Sequence, residues 1–118
     1  MKNFTVCTAE SCTGGNIAHQ ITLVAGSSAY YVGGVVSYAN EVKINTLGVP
    51  AEHIQKHGAV SKPVVEAMAM GVRKLMDADY SIATSGIAGP GGGSAEKPVG
   101  TVWMAVADRE NVYSQLCN

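Results

Sequence analysis

The sequence predicts an α/β fold with a largely parallel sheet, and three observations predict it. Short β-branched or aromatic runs alternate with stretches whose apolar residues recur at helical spacing. Polar, glycine-bearing turns separate the two kinds of segment. The length, 118 residues, fits one domain built around one core.

Residues 4–8 read as the first strand, and residues 9–15 as a polar turn. Ile17, Ile21 and Val24 then recur at helical spacing over residues 14–24, and Gly26-Ser27-Ser28 ends that helix. Residues 30–38 are aromatic and β-branched and read as a strand. Gly33-Gly34 within it marks a bulge or a close backbone approach. Two short helices follow, over residues 40–47, ended by Gly48, and residues 50–57, with Pro50 near the first turn. Ser61 reads as an N-cap with Pro63 just inside the next helix. Val64, Val65, Met68, Val72, Leu75 and Met76 give that helix one apolar face. Residues 80–84 read as a strand, 85–94 as a glycine-rich loop, and 99–107 as a long strand. Residues 112–116 pair with it through a turn over 108–111, which adds an antiparallel component. There is no repeat and no linker.

Composition excludes several function classes. The apolar share is 47%, yet no stretch is apolar for the ~18 residues that a membrane span needs. No small-residue cleavage site follows the N-terminal run, so a cytoplasmic location is expected. A net charge of −1 gives no nucleic-acid footprint. Charged residues make up 14% of the chain, against about 25% in an average domain. So few charges cover a small domain's surface poorly, which predicts a homo-oligomer. Cys7, Cys12 and Cys117 are too few and too scattered for a disulfide framework. His53 and His57 share a helix face. No glutamate lies between them in a His-Glu-x-x-His pattern, so they read as solvated helix residues and no metal site is expected.

Three polar segments follow strands or open helices. In an open parallel sheet, ligands bind beyond the carboxyl ends of the strands, and these three loops can converge there. Glu10-Ser11-Cys12-Thr13-Gly14-Gly15 leads from a strand into a helix, whose free N–H groups attract anions. It also fits an ordinary helix start capped by Ser11 or Thr13. Ser37-Tyr38-Ala39-Asn40-Glu41-Val42-Lys43 ends a strand and places a lysine in the first turns of a helix. The positive end of the helix dipole lowers a lysine's pKa, as burial does, and a neutral lysine can act as a base. An exposed surface lysine beside a core tyrosine fits the same spacing. Residues 84–93 hold five glycines in ten positions, which suits a phosphate or oxyanion site or a surface loop. They lack the Gly-Lys-Ser/Thr ending of a nucleoside triphosphate loop and the Gly-x-Gly-x-x-Gly of a dinucleotide fold.

Taken together the motifs are more specific. Residues 9–15, Gly33-Gly34-Val35-Val36-Ser37-Tyr38 with Asn40 and Lys43, Gly58-Ala59-Val60-Ser61, Ser85-Gly86-Ile87-Ala88-Gly89-Pro90 with Gly92, and Lys97-Pro98-Val99-Gly100-Thr101-Val102 come in one order. In that order the chain resembles the C-terminal domain family of CinA, the competence/damage-inducible protein, from residue 4 to about residue 107.

The resemblance implies a three-layer α/β/α sandwich with a mostly parallel, partly mixed sheet. Residues 1–118 would form one such domain, shortened at both ends relative to the family. It also implies a metal-free and cofactor-free amidohydrolase that converts nicotinamide mononucleotide to nicotinate mononucleotide and ammonia. Ser11 would be the nucleophile, and Lys43 and Tyr38 its base. Glu10, Thr13, Gly14, Gly15, Asn40, Ser85, Gly86 and Gly89 would bind substrate, with Ser85 standing where the family usually has threonine. The expected partner is a small pyridine nucleotide, with neither nucleic acid nor membrane. Cys12 is the rival nucleophile.

The family's extra helix before the first strand and its final helix with a substrate-site arginine have no counterpart here. Arg109 is no obvious substitute. Their absence would leave one sheet face open. A catalytically inactive nucleotide-binding or assembly module of the same family is the alternative, and a phosphate-binding α/β protein of unrelated activity is the third.

Overall fold

The structure is a computed structural model and describes residues 4–87, 97 and 99–117. In chain order the elements are β1 (Val6–Glu10), α1 (Asn16–Thr22), a single 3-10 turn (Ser27–Ala29), β2 (Tyr31–Val36), α2 (Asn40–Asn45), α3 (Ala51–His57), α4 (Lys62–Met76), β3 (Tyr80–Gly86), β4 (Val102–Ala107) and β5 (Val112–Cys117). The strands form one sheet in the order β2-β1-β3-β4-β5. β1 runs parallel to both β2 and β3. β4 and β5 join antiparallel. The expected antiparallel end pair is present, and the sheet is evenly mixed rather than largely parallel. The pairing of β4 with β3, which sequence periodicity does not encode, makes the difference.

The two sheet faces differ in side-chain size. Cys7, Ala9, Ser81, Ala83, Ala105 and Ala107 form the inner rows of one face, and all are 1% exposed or less. These small side chains let α4 lie close to the sheet. Val64, Val65, Met68 and Val72 then fill the space between them, each fully buried. Their spacing is the apolar stripe expected of a helix packed on one side. Ser81 Oγ donates to the Ala69 carbonyl of α4 at 2.6 Å, which satisfies that hydroxyl inside the contact.

The opposite face carries Thr8, Glu10, Gly34, Val36, Ile82, Thr84, Met104, Val106 and Tyr113 by register. α1 lies on this side, because Glu10 bonds its first turn and Val36 lies beside Gly15. The three layers are therefore α4 with α3, the sheet, and α1. Away from α1 this face is open: Val106 is 41% exposed and Tyr113 65%.

Several expectations change at the ends of elements. α1 starts at Asn16 behind Gly15, whose φ of 101° needs glycine. Ser61 stands at the N-cap position of α4 as expected, but its side chain makes no cap bond; its Oγ donates instead to the Gly58 carbonyl at 2.8 Å. β3 runs on to Gly86, absorbing the start of the glycine-rich segment, and β4 begins only at Val102.

Gly34 does mark a close approach. A Cβ there would lie 2.2 Å from Thr8 Oγ1 and 2.8 Å from the Tyr31 hydroxyl, two groups that bond each other at 2.8 Å. Gly34→Ala is expected to destabilise the domain by about 1–3 kcal/mol, as overpacking does. An unchanged denaturant midpoint would show that β1 and β2 separate freely.

Candidate active site

β1 is the point where the topology reverses. Its connection through α1 leads to β2 on one side, and the next connection, through α4, leads to β3 on the other. Such a switch point opens a crevice at the carboxyl ends of the strands. Ser11 is the first residue beyond β1, and its N–H donates to the Thr84 carbonyl at 3.2 Å. Ser37 is the first beyond β2, and its N–H donates to the Glu10 carbonyl at 2.7 Å. Both strand exits are thus tied together.

Lys43 reaches this crevice from α2. It is 1% exposed, and its Nζ lies 3.2 Å from Ser11 Oγ, 2.7 Å from the Ser37 carbonyl and 3.3 Å from the Tyr38 carbonyl. The ion pairs among the described residues all belong to Arg109, so no carboxylate accompanies Lys43. Burial lowers its pKa from the ordinary 10.5. A neutral amine has two N–H groups and one lone pair. In the neutral form the two carbonyls would take the N–H groups, leaving the lone pair toward the Ser11 hydroxyl. Of the two causes the sequence offers, the helix dipole and burial, burial is the first.

Ser11 and Cys12 diverge. The Cys12 sulfur packs toward Gly86, where a Cβ would stand 3.0 Å from it. Its thiol pKa is raised, first by desolvation, against the lowering effect of the backbone N–H groups of Cys12 and Thr13. Cys12 therefore lacks both the orientation of Ser11 and a thiolate's reactivity.

Glu10 plays a part the sequence did not reveal. It is 1% exposed. Its carboxylate accepts the N–H groups of Ile17 at 2.8 Å and Ala18 at 3.0 Å, and the Thr13 hydroxyl at 2.6 Å. The first turn of α1 is thus already occupied by an anion of the chain's own, which corrects the expectation that its N–H groups are free. Neither Ser11 nor Thr13 caps it. Thr13 Oγ1 also lies 3.0 Å from Thr84 Oγ1, bracing the turn against β3. The Gly14 N–H donates inward to the Ser11 carbonyl at 3.1 Å. Among the described residues, the Gly15 N–H remains without a partner.

The other expected site residues fall as follows. Tyr38 is brought in by its backbone, while its side chain is 78% exposed. Asn40 opens α2 and is exposed. Ser85 is 1% exposed and its hydroxyl donates to the Ala59 carbonyl at 2.8 Å, facing the α3–α4 connection. Gly86 ends β3 against Cys12 and Thr101. Gly89 lies outside the described residues. Arg109 sits at the other end of the sheet, paired with Asp77 at 3.4 Å and Asp79 at 3.3 Å.

His53 is half-buried, and its Nδ1 is buried without a partner, which corrects its reading as a solvated residue. It lines a separate, mostly apolar groove of about 620 Å³ with Leu47, Met70 and Leu75. Among the described residues no three His, Cys, Asp or Glu side chains cluster as metal ligands. No helix there is long and apolar enough to cross a membrane.

Sequence reasoning missed Ser37 and Thr84. Ser37 acts through its carbonyl, which leaves no side-chain signature. Thr84 could have been found from its place one strand over from Glu10.

Fold and crevice define an α/β domain carrying a buried serine–lysine pair at the switch point of a mixed sheet. The chain belongs to the CinA C-terminal domain family, whose description matches residues 1–118. It is 56% identical over 113 residues to a CinA-like protein of Cytophaga hutchinsonii, covering 96% of this chain and 27% of that one. A CinA-like protein of Shewanella frigidimarina matches to the same extent. The chain thus spans about a quarter of the length of these relatives.

Among solved structures, the competence/damage inducible protein CihA from Agrobacterium tumefaciens superposes with a TM-score of 0.95 at 47% identity, over 98% of this chain and 70% of that one. A CinA superfamily protein from Klebsiella pneumoniae superposes with a TM-score of 0.92 at 44% identity, over 97% and 71%.

Proposed function

We propose that this domain hydrolyses the carboxamide of nicotinamide mononucleotide, giving nicotinate mononucleotide and ammonia. The observation that carries the reading is the buried Lys43 amine, 3.2 Å from Ser11 Oγ, with two carbonyls to hold its N–H groups. Nucleophilic serine needs an adjacent base, and a neutral lysine is one.

In the first half-reaction Ser11 Oγ attacks the carboxamide carbon and its proton passes directly to Lys43 Nζ. The tetrahedral intermediate collapses, the C–N bond breaks, and the nitrogen leaves as ammonia with the proton from Lys43. An ester to Ser11 remains. In the second, water attacks that ester with Lys43 again taking the proton. The C–O bond to Ser11 breaks, the hydroxyl regains its proton, and the carboxylate departs. The Gly15 N–H is an amide donor for the oxyanion or the phosphate.

The pyridine nucleotide is the only partner the chemistry requires. The test is ammonia release from nicotinamide mononucleotide by the wild-type chain and by Ser11→Ala. Release by the wild type and none by the variant supports the reading. Full release by Ser11→Ala removes the serine. Binding without release by the wild type would favour a nucleotide-binding module instead.

A further inference from the structure

Tyr38 is the most exposed large apolar side chain among the described residues, at 78%. It is also the one whose backbone forms part of the crevice: its carbonyl lies 3.3 Å from Lys43 Nζ, and the preceding residue, Ser37, is fully buried and bonded to Glu10. A rigid backbone therefore holds an unpacked aromatic ring at the rim of the Ser11–Lys43 pair. Its hydroxyl has no partner among the described residues.

The substrate class proposed above carries its carboxamide on a flat pyridinium ring with a positive charge. Tyrosine faces attract such rings by offset stacking and by the cation–π interaction. Glu41, three residues beyond in the first turn of α2, is exposed and adds negative charge to the same segment. Burial disfavours the charged form of the Lys43 amine, which lessens its repulsion of a cationic ring.

We infer that the Tyr38 ring is the platform on which the substrate's pyridinium ring rests, and that it selects a charged aromatic carboxamide over an uncharged one. Its place in the reaction is then recognition, with proton transfer left to Ser11 and Lys43. The inference rests on the amidase reading for the identity of the ring, and the experiment separates the two.

The kinetic arm compares wild type, Tyr38→Phe and Tyr38→Leu on nicotinamide mononucleotide. The binding arm places the same substitutions in the Ser11→Ala chain. It measures Kd by calorimetry for nicotinamide mononucleotide and for its reduced 1,4-dihydro form, which has the same substituents on an uncharged ring. Tyr38→Leu is expected to raise KM and Kd for the pyridinium ligand by about three- to tenfold, the worth of one such contact. kcat should fall less than KM rises. Tyr38→Phe, which keeps the ring, should recover most of that loss. The reduced ligand should bind with similar Kd whether the chain keeps Tyr38 or carries Tyr38→Leu.

A kcat loss in Tyr38→Phe as large as in Tyr38→Leu would make the hydroxyl a proton carrier and overturn the inference while leaving the amidase standing. Equal Kd values across the three chains, or no binding to any, would also overturn it. Absence of ammonia release from the wild type defeats the amidase reading alone, because the binding arm still decides the role of Tyr38.

Discussion

Lys43→Arg is expected to lower kcat for ammonia release by about 10²–10⁴, the usual worth of a general base. Arginine keeps the positive charge and length but cannot deprotonate near neutral pH. It therefore separates a base from a cation that merely holds substrate. Lys43→Met should lose as much. In the wild type, kcat/KM should rise with pH on its acidic limb, with an apparent pKa below lysine's ordinary 10.5, because burial disfavours the charged amine. An arginine variant at wild-type rate would end the case for a lysine base.

The same shift has a sign in stability. Between the lowered folded pKa of Lys43 and 10.5, the unfolded chain holds a proton that the folded chain has given up. Stability then rises with pH across that window. Below it, both states are protonated and the folded state carries the full cost of a buried cation. Wild type should accordingly gain on Lys43→Met as pH rises through the window. A difference in unfolding free energy that stays flat with pH would mean that Lys43 is not shifted.

Gly71→Ala is expected to cost about 3 kcal/mol, the upper part of the range for overpacking. A Cβ at this position in α4 would lie 1.9 Å from the Leu47 carbonyl oxygen and 2.9 Å from its carbon. Both are backbone atoms, and Leu47 is 3% exposed in the core, so no side chain can simply rotate away. In a domain of this size such a loss lowers the melting temperature by roughly 10 °C. Relief would require α2 and α4 to move apart. α2 carries Lys43, whose carbonyl accepts the Val49 N–H at 3.0 Å beside the same contact, so ammonia release should fall even well below the melting point. A variant melting within a degree or two of wild type would show that the α2–α4 contact yields easily.

The legibility of this chain follows the range of each interaction. The apolar stripe Val64, Val65, Met68, Val72 is a local pattern, and α4 appears where it was expected. Gly33-Gly34 announced a close approach, and Gly34 makes one. The three polar loops were expected to meet beyond the strand ends; Ser11 and Ser37 do stand together beyond β1 and β2, while most of the third loop lies outside the described residues. Ends of elements were less legible. Ser61 carries the composition of an N-cap but bonds Gly58, because the α3–α4 turn offered its hydroxyl a nearer acceptor. The helix-start amides beyond Ser11 looked free, but a carboxylate seven residues back in the chain fills them. Glu10 can reach them only because the turn over residues 11–15 folds back on itself.

Order and residue type along the chain settled the α/β class and the family, because turns, periodicity and motif spacing act over a few residues. What only the tertiary structure decided is which groups meet and in what state. The sheet pairing is half antiparallel, the Glu10 carboxylate caps α1, and the Cys12 sulfur packs toward Gly86. Lys43 is buried with no counter-ion among the described residues. Those outcomes depend on contacts between residues tens of positions apart, and on burial that no local pattern records.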